Sequence, residues 1–415
     1  MDGIGTSRPK AWIGLLLGAA LIGSAPSVAT AAPAADELYV PRPNHGAIEQ
    51  IAELRAAGDH AGAALIREMI GTPQAAWFTG STAAGVEREV RATVQRAAGK
   101  GAVAVLVAYN IPFRDCAQFS AGGATTAAEY RAWIDGFARG IGHRPAIVIL
   151  EPDGLGIIPF YRPFGTGAME WCQPAEADPA TAAAERFAML GYAVDRLAAL
   201  ANTRVHLDAT HSRWLGSGDA AHRLFEAGVE RADGFFVNAS NYQLTEHLVK
   251  YGTWISQCLA FATNPAEGGW RLGHFDWCAS QYFPANVDDF GTWGATDTWY
   301  AENLGTAVAT TGFVIDTSRN GQGRWVPPAS APPGDPQDWC NPPDRGLGLR
   351  PTLDTGVALV DAYLWIKIPG ESDGSCNRWA PPGSADPVRG VIDPPAGAWF
   401  PDMALELARY AVPPL

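Results

Sequence analysis

The chain has 415 residues, with 43 acidic and 30 basic side chains and a net charge of −13 at neutral pH. That balance argues against a nucleic-acid-binding face, which needs clustered Lys and Arg, and against adhesion to an anionic membrane; a neutral ligand fits better. Fifteen Trp is a high number for this length and points to aromatic-lined pockets.

In chain order, residues 1–31 read as a secretory signal peptide. Arg8 and Lys10 form a basic start, residues 11–25 an apolar run, and Ala29-Thr30-Ala31 a small-x-small cleavage pattern. The run contains Gly and Ser and is short for a membrane span. The expectation is a secreted, extracellular protein with one domain over residues 32–415. That is long for an average domain but within reach of a barrel with insertions.

Residues 32–44 form a Pro-bearing lead-in. Helical periodicity covers residues 46–69 and 85–98, with 75–80 between them. Residues 126–140 read as an amphipathic helix, 179–201 as a longer one with Pro at its start, and 220–228 as a short one. Five apolar runs rich in β-branched and aromatic residues read as strands: 102–116 (AVAVLVAYNIPFRDC), 145–154 (PAIVILEPDG), 203–211 (TRVHLDATH), 312–321 (GFVIDTSRNG) and 362–374 (AYLWIKIPGESDG). A sixth is 234–242 (GFFVNASNY), followed by a helix over 244–260. Residues 264–300 are aromatic, Gly-rich and irregular, and 322–351 and 375–395 are dense in Pro and Gly. These stretches read as long loops at the strand-end face, where functional insertions accumulate. A closing helix over 398–410 is expected to turn Trp399, Phe400, Met403 and Leu407 inward. Strands alternating with helices predict an α/β fold of βα-repeat type.

Each of the five runs closes on a carboxylate beside Gly, Pro or Asn: Asp115, Asp153, Asp208, Asp316 and Asp373. In a βα-repeat fold the strand ends share one face, so these five groups are expected to converge on one cleft. Asp153 follows a wholly apolar strand, where burial raises a carboxyl pKa as a general acid requires; the alternative is a helix N-cap. Arg114 beside Asp115 has the simpler reading of a local ion pair. Lys367, Glu371 and Asp373 are hard to place in a core, although a solvated loop would accommodate them. His211 at a strand end is more often a hydrogen-bonded structural residue than a catalyst. Trp77, Trp214 and Trp339 lie in polar, Gly/Pro-rich surroundings and are the best candidates for sugar-stacking platforms. Six cysteines, all in the exported part, suggest disulfides with the pairing left open, and no CxxC or HExxH spacing points to a metal or other cofactor.

The set YNIPFRDC, ILEPDG, HLDATHSRWLG, FVNASNY, VIDTSRNG, DWCNPP, LRPT and WIKIPGESDG resembles glycoside hydrolase family 6, in order along nearly the whole chain after the signal peptide. The resemblance implies a distorted, incomplete β/α barrel with a substrate groove over the strand ends. It implies inverting hydrolysis of β-1,4-glucan by a monomer, with Asp153 as general acid, Asp115 as the carboxylate that tunes it and Asp373 as the proposed base. Tyr109 is expected next to the reacting ring, and Ser120 is a candidate to hold the water. Asp208, His211, Trp214, Asn241, Trp339, Lys367 and Glu371 match groove positions. The resemblance pairs Cys116 with Cys172 and Cys340 with Cys376, leaving Cys258 and Cys278 as a third bridge. The short, small-residued loop at 117–129 resembles endo-acting members more than cellobiohydrolases, while the loop at 375–395 is intermediate. An exo-acting cellobiohydrolase and, more distantly, a non-catalytic glucan-binding protein on the same scaffold are the alternatives.

Overall fold

The computed structural model describes residues 37–415 apart from 166, 266–268, 329–330 and 333–336; the expected signal peptide lies outside the described residues. A parallel sheet runs in the order β1 (Glu37–Leu38), β3 (Ala102–Ala108), β4 (Ala146–Leu150), β5 (Thr203–Asp208), β6 (Gly234–Val237), β7 (Gly312–Asp316), β8 (Val360–Leu364), with β2 (Ala76–Phe78) also on β3. β1 pairs with the start of β3 and β2 with its end. Among the described residues the far edges are not joined by a strand ladder. The Ala75 N–H donates to the Trp365 carbonyl at 2.9 Å and the Trp77 indole to the Ile366 carbonyl at 2.8 Å, so side-chain and loop bonds close the gap. The result is an incomplete barrel.

The strands are apolar throughout because both faces are covered, as parallel sheets require. Along β3, Ala102, Ala104, Leu106 and Ala108 face the helix layer, whereas Val103, Val105 and Val107 fill the barrel with Ile147, Ile149, Phe236, Val314 and Leu364. The outer layer includes α3 (Ala83–Ala98), α4 (Ala127–Ile141), α5 (Ala182–Ala198), α6 (Ser217–Glu226) and α7 (Thr245–Thr263). A separate cluster packs α1 (His45–Ala56), α2 (His60–Gly71) and α9 (Pro401–Arg409) around Trp365 and Leu347. Phe400, Met403 and Leu407 are buried there as expected. Trp399 is half-buried, with its indole on Gln50.

Several boundaries differ from the sequence reading. The periodicity of 46–69 is two helices, because Gly58 turns left-handed (φ 82°) and the Asp59 carboxylate then caps α2 through the Gly62 N–H. The irregular stretch 264–300 ends inside a helix, α8 (Gly294–Asn303), whose Gly and Thr content hides it from propensity although Tyr300 is fully buried. The strand expected over 234–242 stops at Val237, since Asn238 and Ser240 have φ of 72° and 57°. Among the described residues no helix is long and apolar enough to cross a membrane.

Candidate active site

A cleft of about 510 Å³ opens over the C-terminal ends of the strands. Tyr109, Asp115, Asp153 and Asp373 line it, as do Trp77, Ser120, His211, Trp214, Asn241, Trp339 and Lys367. Three of the expected residues do not. Asp208 ends β5 but is buried behind the wall, accepting from the Thr210 N–H at 3.0 Å. Glu371 turns away to accept from the Asn44 side chain at 2.9 Å. Asp316 is fully buried and accepts backbone N–H bonds from Ser240, Ser318, Ile366 and Lys367. It ties three strand-end loops together and is not a cleft carboxylate.

The loops that carry the carboxylates adopt backbone that ordinary side chains disfavour. Asp115, Cys116 and Ala117 are consecutive left-handed residues with φ of 57°, 45° and 69°, and Glu151 and Asp153 have φ of 50° and 62°. Such residues cost of order 1–3 kcal/mol each and persist only where surrounding contacts over-determine them. Here the contacts are visible. The Cys116–Cys172 disulfide pins the first loop. Arg114 does not pair with Asp115; its guanidinium donates to the Thr79, Tyr109 and Ser120 carbonyls and holds the loop shut. Glu151, fully buried, accepts from the Asn110 and Ile111 N–H groups and couples this loop to the one bearing Asp153. The other two disulfides join Cys258 to Cys278 and Cys340 to Cys376.

The carboxylates are driven apart electrostatically. Burial pushes the Asp153 pKa well above the carboxylate range, and the neighbouring Asp208, Asp115 and Asp373 push it further. Asp115 is raised to about 6 by burial, against the Ser120 N–H, which donates to its Oδ2 at 2.6 Å, and the Arg114 charge. Asp208 is raised to about 7, again by burial, with the Thr210 N–H opposing. Asp373 goes the other way. Burial raises it, but the Arg319 guanidinium and then the Lys367 ammonium outweigh burial and hold it below its ordinary value. Arg319 donates to Asp373 Oδ2 at 2.9 Å, the Asn341 N–H donates at 3.1 Å and the Tyr242 hydroxyl at 3.3 Å. One cleft thus holds a carboxyl whose proton affinity is raised and a carboxylate whose proton affinity is lowered, the kind of separation that acid/base chemistry uses. His211 is pushed down to about 3 by burial and then Arg213, so it is neutral at physiological pH. The Tyr109 hydroxyl is raised by burial and by Asp153 and Asp115, and its ring packs edge-on against Trp77 at 5.4 Å.

Arg319 and Tyr242 are site residues that the sequence does not single out, although they lie in VIDTSRNG and FVNASNY; nothing local distinguishes a buried Arg that serves a carboxylate 54 positions away. Trp171 and Trp325 also line the cleft. Trp171 precedes Cys172, and that adjacency was the available signal. Among the described residues no group of three or more His, Cys, Asp and Glu could hold a metal ion.

The sequence model of the glycosyl hydrolases family 6 matches residues 33–411. Endoglucanase A of Cellulomonas fimi is 34% identical over 349 residues, covering 84% of this chain but only 56% of its own length, so this chain spans little more than half of that relative. A probable 1,4-β-D-glucan cellobiohydrolase C of Aspergillus niger is 28% identical over 324 residues, covering 74% of this chain and 60% of its own. Among solved structures, the endoglucanase Cel6 of Mycobacterium tuberculosis, in complex with methyl-cellobiosyl-4-deoxy-4-thio-β-D-cellobioside, is 32% identical with a TM-score of 0.64, covering 90% of this chain and 97% of that one. The incomplete barrel, the cleft over its strand ends and the match along nearly its whole length agree: this chain belongs to the glycosyl hydrolases family 6.

Proposed function

We propose that the chain is a secreted, inverting hydrolase of β-1,4-glucosidic bonds that cuts within the polymer. The observation that carries the reading is the opposed pair in one cleft, Asp153 pushed towards its protonated form and Asp373 towards its ionised form. Asp153 protonates the leaving glycosidic oxygen. Asp373 takes a proton from water attacking the opposite face of the sugar, and Asp115 with the Ser120 backbone orders that approach. This is the two-carboxylate scheme in which a water fits between acid and base and no glycosyl-enzyme forms. The half-buried Trp77, Trp214 and Trp339 offer ring faces to the apolar faces of pyranoses. The three disulfides and the amino-terminal segment support an oxidising, extracellular setting.

Internal cutting needs a groove that admits a chain sideways. From the 117–129 loop only Gln118 and Ser120 line the cleft, and no residue of the 375–395 loop does. The second loop is drawn down instead: Arg378 pairs with Asp386 at 3.0 Å, and Arg389 donates to the Asn341 and Pro342 carbonyls and to Glu406. One observation favours the exo-acting, cellobiose-releasing reading. Phe119 of the first loop lies against Gly374, where an added Cβ would sit 2.4 Å from its ring, so the loops touch at their roots. Viscosity of a soluble carboxymethyl-glucan measured against reducing ends released decides between them. The endo reading expects a steep fall in viscosity per bond cut. A slow fall with cellobiose as the main early product replaces it with the exo reading, and no reducing-end release overturns both.

A further inference from the structure

The backbone that carries Trp214 is bonded to a segment with no role so far. The Tyr282 hydroxyl donates to the Trp214 carbonyl at 3.3 Å, and the Gln281 side chain to the Leu215 carbonyl at 2.8 Å. An added Cβ on Gly216 would lie 3.8 Å from the Tyr282 ring. Tyr282 is therefore mounted directly against the backbone of a cleft-lining Trp. Its ring is 44% exposed, and the next residue, Phe283, is 78% exposed, the most exposed large apolar side chain among the described residues.

The backbone that carries these rings is tied down by hydrogen bonds. The Ser280 N–H donates to the Phe283 carbonyl at 2.7 Å and the Tyr282 N–H to Ser280 Oγ at 3.1 Å. Thr296 Oγ1 donates to the Ser280 carbonyl at 2.8 Å, and the Cys258–Cys278 disulfide anchors the segment just upstream. On the cleft side, Arg213 lines the cleft and bonds both the Val287 carbonyl and Asp288, fastening the far part of the same segment. Keeping a Phe ring in water forgoes the free energy of burying it, and a fixed backbone gives the ring no route to the core. Two exposed aromatic side chains, carried on backbone bonded to that of a cleft-lining Trp, suit the apolar faces of pyranose rings.

We propose that Tyr282 and Phe283 form an additional platform that holds glucose units of a β-1,4-glucan chain where it leaves the cleft past Trp214. This rests on the functional reading above and deepens it: the enzyme would favour chains long enough to reach from the carboxylates to this platform.

The test is kcat/KM on neutral cello-oligosaccharides of increasing length, for the wild type, Phe283→Ala, Tyr282→Ala/Phe283→Ala and Phe283→Trp. For Phe283→Ala the expected loss grows with chain length, reaches roughly 2- to 10-fold on the longest substrates, and falls on KM more than on kcat. The double variant loses more, and Phe283→Trp keeps the wild-type length dependence. A loss equal at every length, which a structural defect would give, overturns the proposal, as does no loss on the longest substrates. A self-association seen for the wild type and removed in Phe283→Ala, without a length effect, makes the ring a contact between copies and also overturns it. If the wild type cleaves no oligosaccharide, the functional reading itself has failed; cleavage by wild type with unchanged variants refutes this inference alone.

Discussion

Replacing Arg319 by Met isolates the force that keeps Asp373 ionised. The guanidinium is fully buried and donates to Asp373 Oδ2 at 2.9 Å. At an effective dielectric of about 20, unit charges at that separation attract by about 6 kcal/mol, an upper figure because the Lys367 ammonium, 3.6 Å from Oδ1, remains. Measured effects of an adjacent Arg on a carboxyl are about 1–3 pKa units. Asp373 must be ionised to accept a proton from water, so its pKa sets the acid limb of kcat/KM. In the wild type Arg319 and Lys367 hold that limb below where an ordinary carboxylate would put it. In Arg319→Met burial is opposed only by Lys367 and the hydrogen bonds, and the limb should rise by about 1–3 units, with activity near neutrality retained in part. Breaking a buried pair also costs roughly 3–5 kcal/mol of stability, so each variant is checked for folding by its thermal transition. Arg319→Lys, which keeps the charge, should return the limb most of the way. The assay is initial rate on a neutral cello-oligosaccharide across the acid range. A folded Arg319→Met enzyme with an unmoved acid limb refutes the assignment of Asp373 as the base, or of Arg319 as the group that sets it.

Asp153→Asn should lower turnover on polymer by roughly 10²–10⁴-fold while the fold is kept, and near-normal turnover on natural glucan would remove Asp153 from the acid role. The same variant should melt higher than wild type at neutral pH. A carboxyl whose folded pKa is raised binds more protons folded than unfolded, so its contribution to stability is full below about pH 4 and is lost as pH rises towards the folded value; Asn does not titrate. An Asn variant that melts no higher than wild type at neutral pH would contradict the burial argument. Early-time proton NMR of new reducing ends should show the α anomer first, and initial β anomer would rule out the water-mediated inversion.

What the sequence carried on its own was periodicity and chemistry. Apolar runs buried on both faces announced a parallel sheet, because such strands need no alternation. Strand-end carboxylates beside Gly and Pro announced the cleft, because βα folds put those ends on one face. Motifs such as RDC, EPDG and GESDG carried the family, and with it most of the residues that line the groove. Strand lengths are shorter than the apolar runs suggest: the 102–116 run keeps strand geometry only to Ala108, and Asp115 is delivered by a left-handed loop that no propensity favours.

Which strand-end carboxylates face substrate was decided by tertiary structure alone. Asp208 and Asp316 each end a strand as written in the sequence, yet β-sheet pairing and neighbouring loop amides take them out of the lining. Asp153 and Asp373 look alike in one dimension, each an acid in a Gly-flanked turn. They acquire opposite proton affinities because one is partly desolvated with three other carboxylates near it and the other meets Arg319 and Lys367. A pKa is set by charges and burial within a few ångströms, and those neighbours come from segments far apart in the chain, so only folding brings them together.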